Sequence, residues 1–130
     1  MGGAGAICRH LSSFVNKTNL LSYLGQDNEE LNFIKSNLGK KILFDFISKK
    51  DSPTIIKERF VEEINNRKIF GAYSLNDSSV SSLEEKSLEK KLSQLLKKSN
   101  LIIVSDYGHG LITKNFAKKL ITNKKFVAVN

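Results

Sequence analysis

Leu101-Ile102-Ile103-Val104-Ser105-Asp106-Tyr107-Gly108-His109-Gly110 is the stretch that decides how this chain folds. A short, wholly apolar run stops at an acid, an aromatic and two glycines, and a helix-like stretch follows. A strand buried on both faces lacks polar alternation, so the run predicts a strand of a parallel sheet that carries polar groups to its carboxyl edge. In open α/β sheets that edge is where ligands bind. The decamer therefore predicts an α/β fold with Asp106, Tyr107, Gly108 and Gly110 at a ligand-binding rim.

Reading outward, the same alternation of elements continues on both sides. Towards the carboxyl end, Thr113 is placed to cap a helix from Lys114 to about Ile121, with Phe116, Leu120 and Ile121 as core candidates. Phe126 to Val129 then reads as one more strand. Towards the amino end, Ser82-Leu83-Glu84-Glu85 has the spacing of a capping box. It opens a helix whose apolar stripe is Leu88, Leu92, Leu95 and Leu96. Residues 76–82 before it form a polar linker.

The amino-terminal half has a second rhythm. Gly2-Gly3-Ala4-Gly5-Ala6 leads into a helix in which Ile7, Leu11, Phe14 and Val15 share one face. Thr18 to Leu24 reads as a strand closed by Gly25. Asp27 and Glu30 have capping-box spacing before a helix carrying Leu31, Ile34 and Leu38, with Gly39 after it. Residues 41–75 then hold three strand-like runs with no helix between them: Lys41 to Ile47, Thr54 to Ile64, and Lys68 to Tyr73. A turn at Asn65-Asn66 joins the last two. This predicts an antiparallel β insert or lid within a three-layer α/β/α sheet.

The totals agree with one domain. The chain has 130 residues, 40% hydrophobic and 26% charged, the profile of a soluble globular protein. No apolar run approaches the roughly 20 residues that span a bilayer. A single cysteine excludes an internal disulfide and fits a reducing, cytoplasmic setting. The net charge of +8 comes mostly from lysines dispersed along the chain. Dispersed charge without a motif argues against nucleic acid as the partner.

Three groups of residues can carry chemistry. Successive glycines before a helix can admit an oxygen-rich ligand to backbone N–H groups, or can simply allow tight packing of helix on sheet. Lys57 and Arg59, two apart on a strand, share a face that can hold a phosphate, although spacing alone favours a solvated edge protected by charge. Asp106 can accept hydrogen bonds from sugar hydroxyls, or can cap a local turn. Gly108 and Gly110 allow close approach or an unusual backbone turn. His109 and His10 lie near no metal-ligand spacing, so no metal site is predicted. Cys8 is expected to be a small buried residue, and no nucleophile-base pair is evident.

In order and spacing these pieces resemble the ribokinase-like (PfkB-type) carbohydrate kinases. The matching segments are Gly2-Gly3-Ala4-Gly5-Ala6, Leu24-Gly25-Gln26-Asp27, Pro53-Thr54-Ile55-Ile56-Lys57-Glu58-Arg59, and Ser105 to Gly110. The heptose-phosphate kinases are the most similar subgroup. The resemblance implies phosphoryl transfer from ATP, with Mg2+, to a hydroxyl of a sugar or sugar phosphate. It implies that Gly2 and Gly3 lie under the sugar, that Lys57 and Arg59 reach it from the lid, and that Asp106, Tyr107, Gly108 and Gly110 line the sugar and phosphate path. A homodimer through the β insert is a further expectation, apart from what the resemblance implies. Two departures stand out: Ala6-Ile7-Cys8 lacks the family's sugar-contacting Asn, and His109 replaces a Lys. The family's Gly-Ala-Gly-Asp segment, with its catalytic base and ATP site, is not in this sequence. Residues 1–130 therefore read as an incomplete ribokinase-like domain, expected to be inactive alone. The alternative is a non-catalytic sugar-phosphate-binding or dimerisation module of the same fold.

Overall fold

A computed structural model of the chain describes residues 2–130. The elements in order are α1 (Gly3–Leu11), β1 (Thr18–Gly25), α2 (Leu31–Leu38), β2 (Ile42–Lys49), β3 (Ile56–Val61), β4 (Lys68–Ser74), α3 (Ser82–Lys98), β5 (Leu101–Val104), α4 (Lys114–Thr122) and β6 (Phe126–Val129). The fold is mixed α/β. β1 pairs with β2 in parallel from Thr18↔Ile42 to Gly25↔Lys49. β5 pairs with β6 in parallel, and β3 with β4 antiparallel.

Strand periodicity sorts the side chains into two cores. Tyr23 and Ile47 face Leu88 and Leu92 of α3 and Phe116 and Leu120 of α4. Leu20 and Ile42 face the other way, against Cys8 of α1 and Leu38 of α2. Helices thus cover both faces of the β1–β2 pair. α3 is pinned to β2 by Lys91 Nζ on Asp45 Oδ1 at 2.5 Å, and to α4 by Lys119 on Glu89 at 3.4 Å. Beyond Val104, Ser105 leads directly into the 106–110 turn.

Several expectations change. The first strand of the 41–75 region is not part of the insert: β2 belongs to the parallel pair, and the antiparallel ribbon is β3–β4 alone. The reason is visible in its composition, since Ile42 and Ile47 are buried on opposite faces. Most of the glycine run lies within the helix that it is expected to precede. Gly2 is the N-cap of α1, and Gly3 and Gly5 lie in its first turn. Helix α1 stops at Leu11, which leaves Phe14 and Val15 exposed. Asp27 does not cap α2; Glu30 occupies the N-cap position without a side-chain cap bond. The capping box of α3 lies one residue earlier than the spacing suggested, between Ser81 and Glu84. Thr113 does cap α4, accepting from Phe116 N at 3.1 Å, but Ile121 is exposed. Finally, β1 and β5 are not hydrogen-bonded to each other, so the parallel strands form two separate pairs.

Candidate functional site

The carboxyl ends of β1, β2 and β5 share one edge. The Tyr23 hydroxyl of β1 donates to the carbonyl of His109 at 3.3 Å, and Lys49 at the end of β2 reaches the same carbonyl at 3.5 Å. The loops that leave these strands therefore converge at the edge where open α/β sheets bind ligands.

Two of the sequence motifs meet after β1. Gly25 N donates to Thr54 Oγ1 at 2.9 Å and Gln26 N to Ser52 O at 2.9 Å. Asp51 N donates to Gln26 Oε1 at 3.0 Å. A Cβ on Gly25 would collide with the backbone of Pro53 and Thr54 and would lie 2.7 Å from Ser52 O, so glycine is required by close approach. The two segments enclose a polar cavity of about 350 Å³ lined by Gln26, Asp27, Asp51 and Thr54.

The ribbon is tied to the β5 loop by a three-residue chain of polar contacts. Lys57 Nζ lies 3.0 Å from His109 Nε2, and His109 Nδ1 lies 2.7 Å from Asp77 Oδ1. With Nδ1–H donating to Asp77, Nε2 is left to accept from the Lys57 ammonium. Lys57 also lies 5.8 Å from the centre of the Tyr73 ring. Arg59 is exposed two residues along β3 and forms no ion pair among the described residues. Of the two basic residues, only Lys57 joins the convergent group.

Asp106 is exposed, and its Oδ1 accepts from Gly108 N at 2.9 Å. The carboxylate thus closes its own turn, with Gly108 at φ 72° and Gly110 at φ 77°. Tyr107 folds towards the start of α1, where a Cβ on Gly3 would lie 3.4 Å from Tyr107 Cε2. Gly3, at φ 54°, and the β5 loop are therefore neighbours, whereas nothing lies within 4 Å of a Cβ placed on Gly2.

Sequence reasoning missed Lys49. The residue is only 2% exposed, and its ammonium donates to the carbonyls of Asn76 at 2.6 Å and Ser78 at 2.5 Å, besides His109. It also sits 5.0 Å over the Tyr23 ring. Burial lowers its pKa, against the opposing pull of Glu84 and Asp77. Burial, then the nearby Asp77 charge, raises that of Tyr23. Glu84 is held below the ordinary carboxylate range: burial works against its ionised form, but Lys50 N and Ser81 N each donate to it at 2.6 Å and outweigh that cost. A lysine closing an apolar strand was the signal available, the cationic counterpart of Asp106 after β5.

No three His, Cys, Asp or Glu side chains converge to hold a metal ion among the described residues. No helix among the described residues is long and apolar enough to cross a membrane.

The chain is similar to two bacterial proteins. Both carry the name bifunctional protein HldE. The one from Aliarcobacter butzleri is 31% identical over 136 aligned positions, spanning 99% of this chain and 27% of that protein. The one from a Nitratiruptor species is 23% identical over 121 residues, spanning 93% of this chain and 26% of that protein. The chain therefore spans about a quarter of the length of the relatives it matches. No protein-family model matches it.

Proposed function

We propose that this chain forms the sugar-phosphate-binding wall of an ATP-dependent, ribokinase-like sugar kinase, with heptose phosphates as the substrate class. The observation that carries the reading is the convergence of Lys57, His109 and Asp77 beside the Tyr107–Gly3 contact, on the carboxyl edge of parallel strands. A cation at that edge suits a phosphate ester, and the exposed Asp106 and the polar cavity beside Gly25 suit sugar hydroxyls. Similarity to the HldE proteins supports the same reading. In phosphoryl transfer the protein chiefly positions groups and neutralises charge, which is the role assigned to this wall. ATP and Mg2+ belong to the parent activity, and the isolated chain is expected to transfer no phosphate. A cytoplasmic location goes with this reading.

Calorimetric titration tests it. A heptose phosphate is expected to bind more tightly than the unphosphorylated heptose or inorganic phosphate. Lys57→Met should weaken the phosphorylated ligand by about ten-fold, the scale of one hydrogen bond to a charged group, and leave the free sugar unaffected. Equal affinity for all three ligands would remove the proposal.

The ribbon favours a second role, self-association. Phe60 and Phe70 stack at 4.2 Å on one face, and both are about half exposed. Their cross-strand pairing makes an apolar patch on a ribbon that also exposes Val61, Ile69 and Tyr73. A dimer through this face should appear in sedimentation velocity, and Phe60→Asp should return the protein to monomer. A wild-type protein that stays monomeric at high concentration would rule it out.

A further inference from the structure

The β3–β4 ribbon stands off the body of the chain. Every residue of β3 is exposed, and so are most of those in β4. Neither strand pairs with any strand but the other. At the base of the ribbon, Ile55 packs on the main core and Thr54 accepts from Gly25 N. Beyond that base, a single hydrogen bond joins residues 56–74 to the rest of the chain among the described residues. It is the one between Lys57 Nζ and His109 Nε2 at 3.0 Å. No ion pair supplements it among the described residues.

That bond exists in one protonation state only. An ammonium has donors and no acceptor, so Lys57 needs a lone pair on Nε2. Nδ1 is engaged by Asp77 at 2.7 Å. A proton added at Nε2 turns the acceptor into a donor and sets two cations against each other across 3.0 Å. We propose that His109 is a proton-operated latch: its neutral ring holds the β3–β4 ribbon against the β5 loop through Lys57, and its protonation frees the ribbon.

The groups around the ring set the balance. Asp77, from the polar segment before α3, favours the imidazolium. Lys57 of β3 opposes it, and so does Lys49 of β2, whose ammonium lies 3.5 Å from the His109 carbonyl. Tyr23 of β1 donates to the same carbonyl and stays neutral, since burial raises its pKa. Asp106, in the same turn, accepts from Gly108 N. Glu84 of α3 accepts from Lys50 N and Ser81 N. An imidazole changes charge between about pH 5 and 8, so the latch is closed at the alkaline end and opens as the pH falls. The ligand enters on the sugar-phosphate reading, on which this step alone rests. A phosphate ester accepts from Lys57 and from a protonated Nε2 together, which relieves their repulsion. Binding then draws one proton from the buffer onto Nε2, where an N–H bond forms, and no other bond in the protein breaks.

Nuclear magnetic resonance of the ligand-free chain tests the latch. Backbone order parameters of Ile56–Val61 and Lys68–Ser74 are expected to fall from about 0.85 to below about 0.6 between about pH 7.5 and 5.5, with α3 and β1 unchanged. The fall should follow the ring signal of His109 and not that of His10, the other histidine of the chain. His109→Gln offers Lys57 a carbonyl that does not titrate, so its ribbon should stay ordered throughout. Lys57→Met should leave the ribbon mobile at both ends of the range. A wild-type ribbon indifferent to pH, or a response retained in His109→Gln, would overturn the inference. Calorimetry in buffers of different ionisation enthalpy then reads the ligand step. A heptose phosphate should take up as much as about one more proton on binding wild type than on binding His109→Gln, which carries the ester's own titration. Equal uptake would overturn the coupling and leave the sugar-phosphate reading standing. No binding, with the acid response intact, would remove that reading and keep the latch.

Discussion

Gly110→Ala is expected to abolish cooperative folding, or to lower the melting temperature by roughly 10–20 °C. Two independent costs meet at this residue. Its φ of 77° lies in the left-handed region, where a side chain costs about 1 kcal/mol. A Cβ there would also overlap the Ser78 carbonyl and come within 2.9 Å of Ser79 Cα. Backbone atoms cannot rotate away as a side chain can, so the 78–80 segment must shift. That shift would break the bond from Val80 N to Gly110 O at 3.0 Å and disturb Val80, which is buried in the main core. Together these costs come to about 3–5 kcal/mol, a large share of the stability of a small domain. Gly108→Ala separates the two causes. Gly108 has φ 72° but nothing within 4 Å of its Cβ position, so only the conformational cost of about 1 kcal/mol should appear. Thermal melts followed by circular dichroism compare the two variants directly. Equal shifts would mean that the packing of Ser78 on Gly110 carries no energy.

How far the sequence reveals this fold depends on whether the signal is local. The strand before Asp106, the leucine stripe of α3 and the Thr113 cap are local and emerge as expected, although Leu101 and Ile103 of that strand are exposed rather than buried on both faces. Pairing is not local. The Lys41 to Ile47 run reads as a strand, yet nothing in its own period says whether its partner is β1, in parallel, or the ribbon that follows. Only the burial of Ile42 and Ile47 on opposite faces decides it. Helix ends are similarly underdetermined. Ser81 and Ser82 both precede a glutamate by three residues, and the choice falls to Ser81 because Glu84 also accepts from Lys50 N at the end of β2. At the site, Lys57 and Asp106 are legible as residue types in apt positions. The His109–Asp77 contact joins residues 32 apart through a linker with no periodicity, so no spacing rule could reveal it.

Lys49→Met is expected to destabilise the protein by about 2–4 kcal/mol and to loosen the site before it unfolds the core. Methionine fills much of the same volume but donates nothing. The carbonyls of Asn76 and Ser78, now 2.6 and 2.5 Å from the ammonium, would lose their donor in a part-buried setting. A carbonyl left without its donor costs up to about 1–3 kcal/mol when buried and less when part-buried, so two such contacts set the scale of the effect. Lys49→Arg should not restore stability. A planar guanidinium is larger and directs its donors in a fixed fork, whereas these carbonyls converge on one compact ammonium. The consequence for the site follows from what Lys49 ties together. It fixes the 76–78 segment that carries Asp77, and Asp77 orients His109, which in turn meets Lys57. Hydrogen exchange should therefore accelerate first in residues 76–80 and 107–110, with α3 and β1 still protected. Uniform acceleration across the chain would mean that Lys49 supports the core at large and does not specifically hold the loop that presents His109.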